Sequence, residues 1–88
     1  MKVKKRNGEI ENFQINKVAN SIVNASDETH EPLNLSDIEM ITKDINLKLK
    51  EIGKEIIDSE EIFDTILLCL MKERFYHVSE EYRKKSQW

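Results

Sequence analysis

The sequence predicts an α+β domain, mainly α: a small bundle of about four helices capped by an N-terminal β-hairpin. Three observations lead there. Asn7-Gly8 lies between the β-formers Val3 and Ile10, a strong short-range hairpin signal. Behind it, apolar residues recur at helical spacing through most of the chain. One proline and two glycines in 88 residues leave nothing that reads as a long linker or low-complexity segment, so one domain is expected over 1–88.

The hairpin comes first. A type I′ turn needs φ > 0 at both central positions, which Asn and Gly tolerate, so residues 2–6 and 9–13 read as strands around a two-residue loop. That register faces Arg6 with Glu9 and Lys4 with Glu11, two favourable cross-strand pairs, and leaves Lys5 unpaired on the opposite face beside Val3 and Ile10. A lone ribbon is marginal in water and must pack on the helices that follow. Ile15, Val18, Ala19, Ile22 and Val23 give a first helix over roughly 16–26. The stretch from Asp27 to Leu35, with Pro32, is a loop. Ser36-Asp37-Ile38-Glu39 has the capping-box pattern, and the stripe Ile38, Ile41, Ile45, Leu49 and Ile52 carries a second helix to Gly53. A third helix begins at Ser59, where Glu60 and Glu61 suit the positive end of the helix dipole. Its wide face of Ile62, Phe63, Ile66, Leu67, Leu70 and Met71 is that of a central helix. Val78 and Tyr82 support a last helical segment, with no glycine to mark the break before it.

Charge narrows the function. The chain carries a net −3, yet Lys2, Lys4, Lys5 and Arg6 crowd into five residues. Residues 1–17 hold five cations and two acids, residues 18–71 four cations and twelve acids, and residues 72–88 five cations and three acids. An acidic middle between basic ends disfavours a surface lying along a long polyanion and suits a small local anion site. The longest apolar run, Ile66 to Met71, is six residues, far short of a membrane span. The N-terminus lacks the apolar stretch of a secretion signal, and a single Cys69 allows no internal disulfide, so a reducing, cytoplasmic setting is expected.

Catalytic and metal motifs are missing. There is no G-x-x-x-x-G-K-[ST], no G-x-G-x-x-G and no metal-ligand spacing. His30 and His77 are far apart in sequence and read as surface or boundary residues, and Cys69 as a small buried hydrophobe. The acids between Asp27 and Asp64 alternate with lysines, as a solvated face does. Nothing assembles a nucleophile, a base and an oxyanion hole, so the chain is not expected to be an enzyme.

The informative constellation spans the hairpin and the start of the first helix: Val3, Lys5, Arg6, Gly8, Glu11, Phe13, Lys17 and Val18. As VKKRNGEIENFQINKV, it resembles V-x-K-R-[DN]-G-x-x-E-x-F-x-x-x-K-[IV], the opening of the ATP-cone, the nucleotide-binding regulatory domain of ribonucleotide reductases. Later landmarks agree in order: the Ser59-Glu60-Glu61-Ile62 helix start and V-S-E-E-Y at Val78 to Tyr82. The family's fold is about four helices under a small β-cap, as the periodicity suggests. The resemblance implies ATP or dATP, with Mg²⁺, held between cap and helix ends. It implies Lys5, Arg6 and Lys17 on the phosphates, and Val3, Glu11, Phe13, Gln14 and Val18 around the adenine. Ser59 matches a family hydroxyl at a helix N-terminus, where free N–H groups and the dipole favour phosphate. The chemistry is coherent, because a triphosphate needs cations from several elements and Arg can chelate its oxygens.

The last helix departs from the pattern: Lys85 and Ser86 stand where many cones have an aromatic residue and an arginine. Neither the reductase body nor the zinc ribbon of the related transcriptional repressor accompanies the cone in this sequence. The expectation is therefore a free-standing cone or an excised regulatory domain. Its partners would be ribonucleotide reductase, another cone-bearing protein, or further copies of itself. Two other readings compete: a helical protein-interaction module with a merely solvated strand, and a weak nucleic-acid binder using the basic N-terminus. Binding of ATP separates the family reading from the first, and steeply salt-dependent binding of random DNA would support the second.

Overall fold

The structure, a computed structural model, describes residues 1–85. Its cap is a three-stranded sheet in the order β2-β1-β3. Strands β1 (Lys2–Lys4) and β2 (Ile10–Asn12) form the expected antiparallel hairpin, but in a different register: Lys2 opposes Asn12, Val3 opposes Glu11 and Lys4 opposes Ile10. The loop is Arg6-Asn7-Gly8, three residues rather than two. Of these only Gly8 has positive φ, at 89°, so the turn is not type I′. Lys5 N–H donates to Glu9 O at 2.8 Å, Gly8 N–H donates to Lys5 O at 2.9 Å, and Asn7 Oδ1 accepts from Glu9 N–H at 3.0 Å. The asparagine thus ties the turn through its side chain instead of supplying a left-handed residue. The predicted pairs Arg6–Glu9 and Lys4–Glu11 are therefore not formed.

The third strand, β3 (Ile56–Asp58), was not foreseen; it pairs parallel with β1, Val3 beside Ile57 and Lys4 beside Asp58. Three residues are too short for a periodic signal, and the partner lies more than fifty positions away. Both Val3 and Ile57 are fully buried, which fixes the helix-facing side of the sheet.

Four helices follow the expected order. Helix α1 (Ile15–Asp27) buries Val18, Ile22 and Ala25, while Val23 stays exposed. Helix α2 (Leu35–Ile52) buries Ile38, Ile41, Ile45 and Leu49 and ends on Gly53 in the left-handed conformation, φ 71°. Its capping box is formed by Asn34 and Asp37, two residues before the predicted Ser36 and Glu39. Ile52 at the end of the stripe is exposed. Helix α3 (Ser59–Lys72) begins where predicted and buries Ile62, Ile66, Cys69 and Leu70; Phe63 and Leu67 are partly buried and Met71 is exposed.

The break before α4 (Tyr76–Lys84) needs no glycine. Arg74 itself takes φ 63°, Arg74 N–H donates to Met71 O at 2.9 Å, and Phe75 N–H donates to Leu70 O at 2.9 Å. That is a Schellman ending with Phe75 packed against the core. On α4, Val78 and Tyr82 are buried, and the Tyr82 hydroxyl lies 2.8 Å from Ser21 Oγ. Together these residues form one apolar cluster beneath the sheet.

Candidate functional site

Strand alternation sorts the hairpin's side chains. Val3 and Lys5 share the helix-facing side with Glu9, Glu11 and Phe13, since Lys5 stands opposite Glu9, Val3 opposite Glu11 and Met1 opposite Phe13. Val3 is sealed into the core, so Lys5 emerges at the rim of the sheet, where β3 runs straight into α3. There Lys4, Lys5, Arg6, Asp58, Ser59 and Glu60 line one open cavity of about 230 Å³. Among the described residues, neither Lys5 nor Arg6 takes part in an ion pair. Asp58 sits at the N-cap of α3 but gives no side-chain cap, so first-turn N–H groups face this rim without a carboxylate bonded to them. The rim thus brings cations and an uncapped helix N-terminus, both of which favour an anion, together with the carboxylates of Asp58 and Glu60, which oppose one.

Lys17 approaches from α1. Its Nζ lies 3.0 Å from Glu11 Oε1 on β2, tying the hairpin to the first turn of the helix. The Lys17 hydrogen bond holds the Glu11 carboxyl below its ordinary range; the Lys17 and Lys5 charges act in the same direction. Lys5, Glu11 and Lys17 thus share one electrostatic neighbourhood between cap and helix.

A family model, that of the ATP cone domain, matches residues 1–87. The chain belongs to the ATP-cone family. Among curated proteins, none matches it. ATP-cones are nucleotide-binding regulatory domains whose general ligands are ATP and dATP.

In this ATP-cone the expected site residues fall into groups. Lys5, Arg6 and Ser59 come together at the rim cavity, with Ser59 almost fully buried at 3% exposure; Glu11 and Lys17 are bonded to each other and do not line that cavity, although the Lys5 charge acts on Glu11. Val3 and Val18 are both fully buried, so neither presents surface to a ligand in this conformation. Gln14 is exposed at the N-cap of α1, its side chain not used as a cap. Phe13 points elsewhere: it lines a separate cavity of about 440 Å³ with Met1, Asn46, Leu49, Lys50, Gly53, Lys54 and Glu55. The sequence-based reading missed Asp58 and Glu60 at the rim, whose only signal was adjacency to Ser59.

Two further features bear on the chemistry. His30 and His77, distant in sequence, line one cleft of about 360 Å³ together with Glu28, Glu31, Glu80 and Glu81. Among the described residues no group of three His, Cys, Asp or Glu is arranged to hold a metal ion. Burial, followed by the nearby Asp44, pushes the Cys69 thiol up to about 11, so it is protonated at neutral pH and a poor nucleophile. No helix among the described residues is long and apolar enough to cross a membrane.

Proposed function

We propose that this ATP-cone binds ATP or dATP without hydrolysing it and transmits the nucleotide's identity to a ribonucleotide reductase or another cone-bearing protein. The observation that carries the reading is the rim cavity, where Lys5 and Arg6, in no ion pair among the described residues, meet the uncapped start of α3 at Ser59. Like charges this close destabilise the ligand-free chain, and a bound polyphosphate reverses that term. Lys17 would add a third cation from α1, and the base would extend along the hairpin toward Glu11 and Gln14, with Phe13 reached only if its side chain left the separate cavity it lines. Contact with Val3 and Val18 would require the hairpin to lift from the bundle. Mg²⁺ would arrive on the phosphate oxygens and keep most of its water, since it binds through substrate phosphates with few protein ligands. Hydrolysis is not expected because the sequence carries neither a phosphate-binding loop nor another catalytic motif.

Amide chemical shifts of the full chain during ATP addition test the reading. Saturable changes concentrated at residues 3–18 and 58–61, with no phosphate released on long incubation, are the expected result. Changes confined to the His30–His77 cleft, or no saturable change, would refute it.

A further inference from the structure

Asp58 and Glu60 line the rim cavity beside Lys4, Lys5 and Arg6, where two carboxylates oppose a bare polyanion. Neither takes part in an ion pair or a side-chain hydrogen bond among the described residues, whereas the adjacent Glu61 is bonded to Lys54 at 2.6 Å. Asp58 acts on Lys54 through its charge without forming a pair with it. An aspartate at an N-cap ordinarily accepts from a first-turn N–H, and this one does not. Both its oxygens and the N–H groups of α3 are thus left for other partners. Ser59 points to a ligand independently. It lines the cavity at 3% exposure, and no hydrogen bond among the described residues uses its hydroxyl. The cavity therefore offers cations, first-turn N–H groups and a hydroxyl to an anion, and two carboxylates to a cation.

We propose that the rim takes its polyphosphate as a divalent-cation complex, with Asp58 and Glu60 facing the cation while Lys5, Arg6 and Ser59 face the phosphate oxygens. This rests on the nucleotide reading above and adds the form in which the ligand binds. Mg²⁺ is held through one or two carboxylates together with phosphate oxygens and water, and has no need of an all-protein cage. Asp58 and Glu60 supply that number. Among the described residues no three metal-binding side chains gather to hold the ion unaided, so the site is complete only when phosphate is present. Charge points the same way. The cations of the cavity, Lys4, Lys5 and Arg6, outnumber its carboxylates by only one. A divalent cation cancels much of the charge of a nucleoside triphosphate, so the complex matches this balance where the free anion does not. Asp58 and Glu60 then change from repelling the ligand to holding it, while Glu61, already bonded to Lys54, stays outside.

The test is calorimetric titration of ATP, with Mg²⁺ and with excess EDTA, into the wild-type chain, Asp58→Ala, Glu60→Gln and the double variant. Alanine is chosen at position 58 because asparagine would itself cap α3 and occupy its N–H groups. The wild type should bind ATP more tightly with Mg²⁺ than without. Each substitution should tighten metal-free binding by about threefold to fivefold, the gain from removing one like charge near the phosphates in water. Binding with Mg²⁺ should not tighten, so the advantage conferred by the metal shrinks in each variant and nearly vanishes in the double one. A wild-type measurement stands beside the variants: Mn²⁺ supplied with ATP in place of Mg²⁺ should broaden the amide signals of residues 58–60 first. A metal advantage unchanged in the double variant overturns the proposal, and so does wild-type binding that is equal or tighter without metal. An equal shift in Glu61→Gln overturns it too, because that variant removes a neighbouring charge that does not line the cavity. Manganese broadening confined to residues away from the rim has the same force. Each of these results leaves ATP binding itself in place. Absence of saturable binding to the wild type, with and without metal, refutes the nucleotide reading instead, and the proposal falls with it.

Discussion

Lys5 and Arg6 are adjacent cations in no ion pair among the described residues, although the Lys5 charge acts on Glu11, whereas Lys17 is bonded to Glu11. Truncating them therefore should differ in the ligand-free state. Lys5→Ala should keep or slightly raise stability by relieving repulsion, and Lys17→Ala should lose only a little with its exposed bridge, both read from denaturant midpoints. The same bridge sets a pH response. Because the folded-state pKa of Glu11 is depressed below 4.5, its contribution is present above that value and is lost as pH falls through the lowered one. A side-chain titration of Glu11 followed by NMR should give a midpoint below 4.5, and one at or above it would contradict the bond. Arg74 is a different case: its φ of 63° strains a residue with a Cβ, at an exposed position whose usual occupant is glycine. Arg74→Gly should raise stability by about 0.5–1 kcal/mol, and a loss would show that the arginine side chain makes a contact that matters. Nothing in the sequence marks that position, because the Schellman bonds depend on Leu70, Met71 and Phe75 meeting in space. The crowded cations, by contrast, were plain in the sequence.

Among the elements, the four helices were legible because their apolar stripes are long and repeated; Ile38, Ile41, Ile45 and Leu49 alone fix one face of α2. Their ends were legible only where one residue type dominates, as at Gly53 and Ser59. The start of α2 offered two capping signatures, and the chain uses Asn34 with Asp37. Asn34→Ala should therefore destabilise by about 1 kcal/mol while Ser36→Ala is nearly silent, and the reverse pattern in thermal melts would return the cap to Ser36. The hairpin register was not legible, since Asn-Gly serves a two-residue loop or the tail of a three-residue one, and the choice moves every cross-strand pair by one. That choice matters to function, because the observed register puts Lys5 on the face of Glu11 and Phe13. A Cβ at Gly8 would meet nothing within 4 Å, so Gly8→Ala strains only the backbone at φ 89°. It should cost about 1 kcal/mol and loosen the loop that carries Arg6.

For the whole molecule, the open issue is how a nucleotide bound at one rim is felt by another protein. The acidic second helix and the basic C-terminal segment with Trp88 are the expected contact surfaces; Ser86 to Trp88 lie outside the described residues. Within them, Leu47 on α2 and Leu68 and Met71 on α3 are exposed, and a cleft of about 390 Å³ between these helices includes Ile52, Leu68, Lys48 and Lys72. If the output is association, scattering mass should differ between ligand-free, ATP and dATP samples; one mass across a wide concentration range would assign the output to a separate partner. All of this depends on the central claim that Lys5 and Lys17 hold a nucleotide's phosphates. Calorimetric titration of ATP into the wild-type chain, Lys5→Ala and Lys17→Ala tests it most directly. The account predicts saturable binding to the wild type, weakened by about tenfold or more in each variant, with melting little changed. Unaltered ATP affinity in both variants would contradict it.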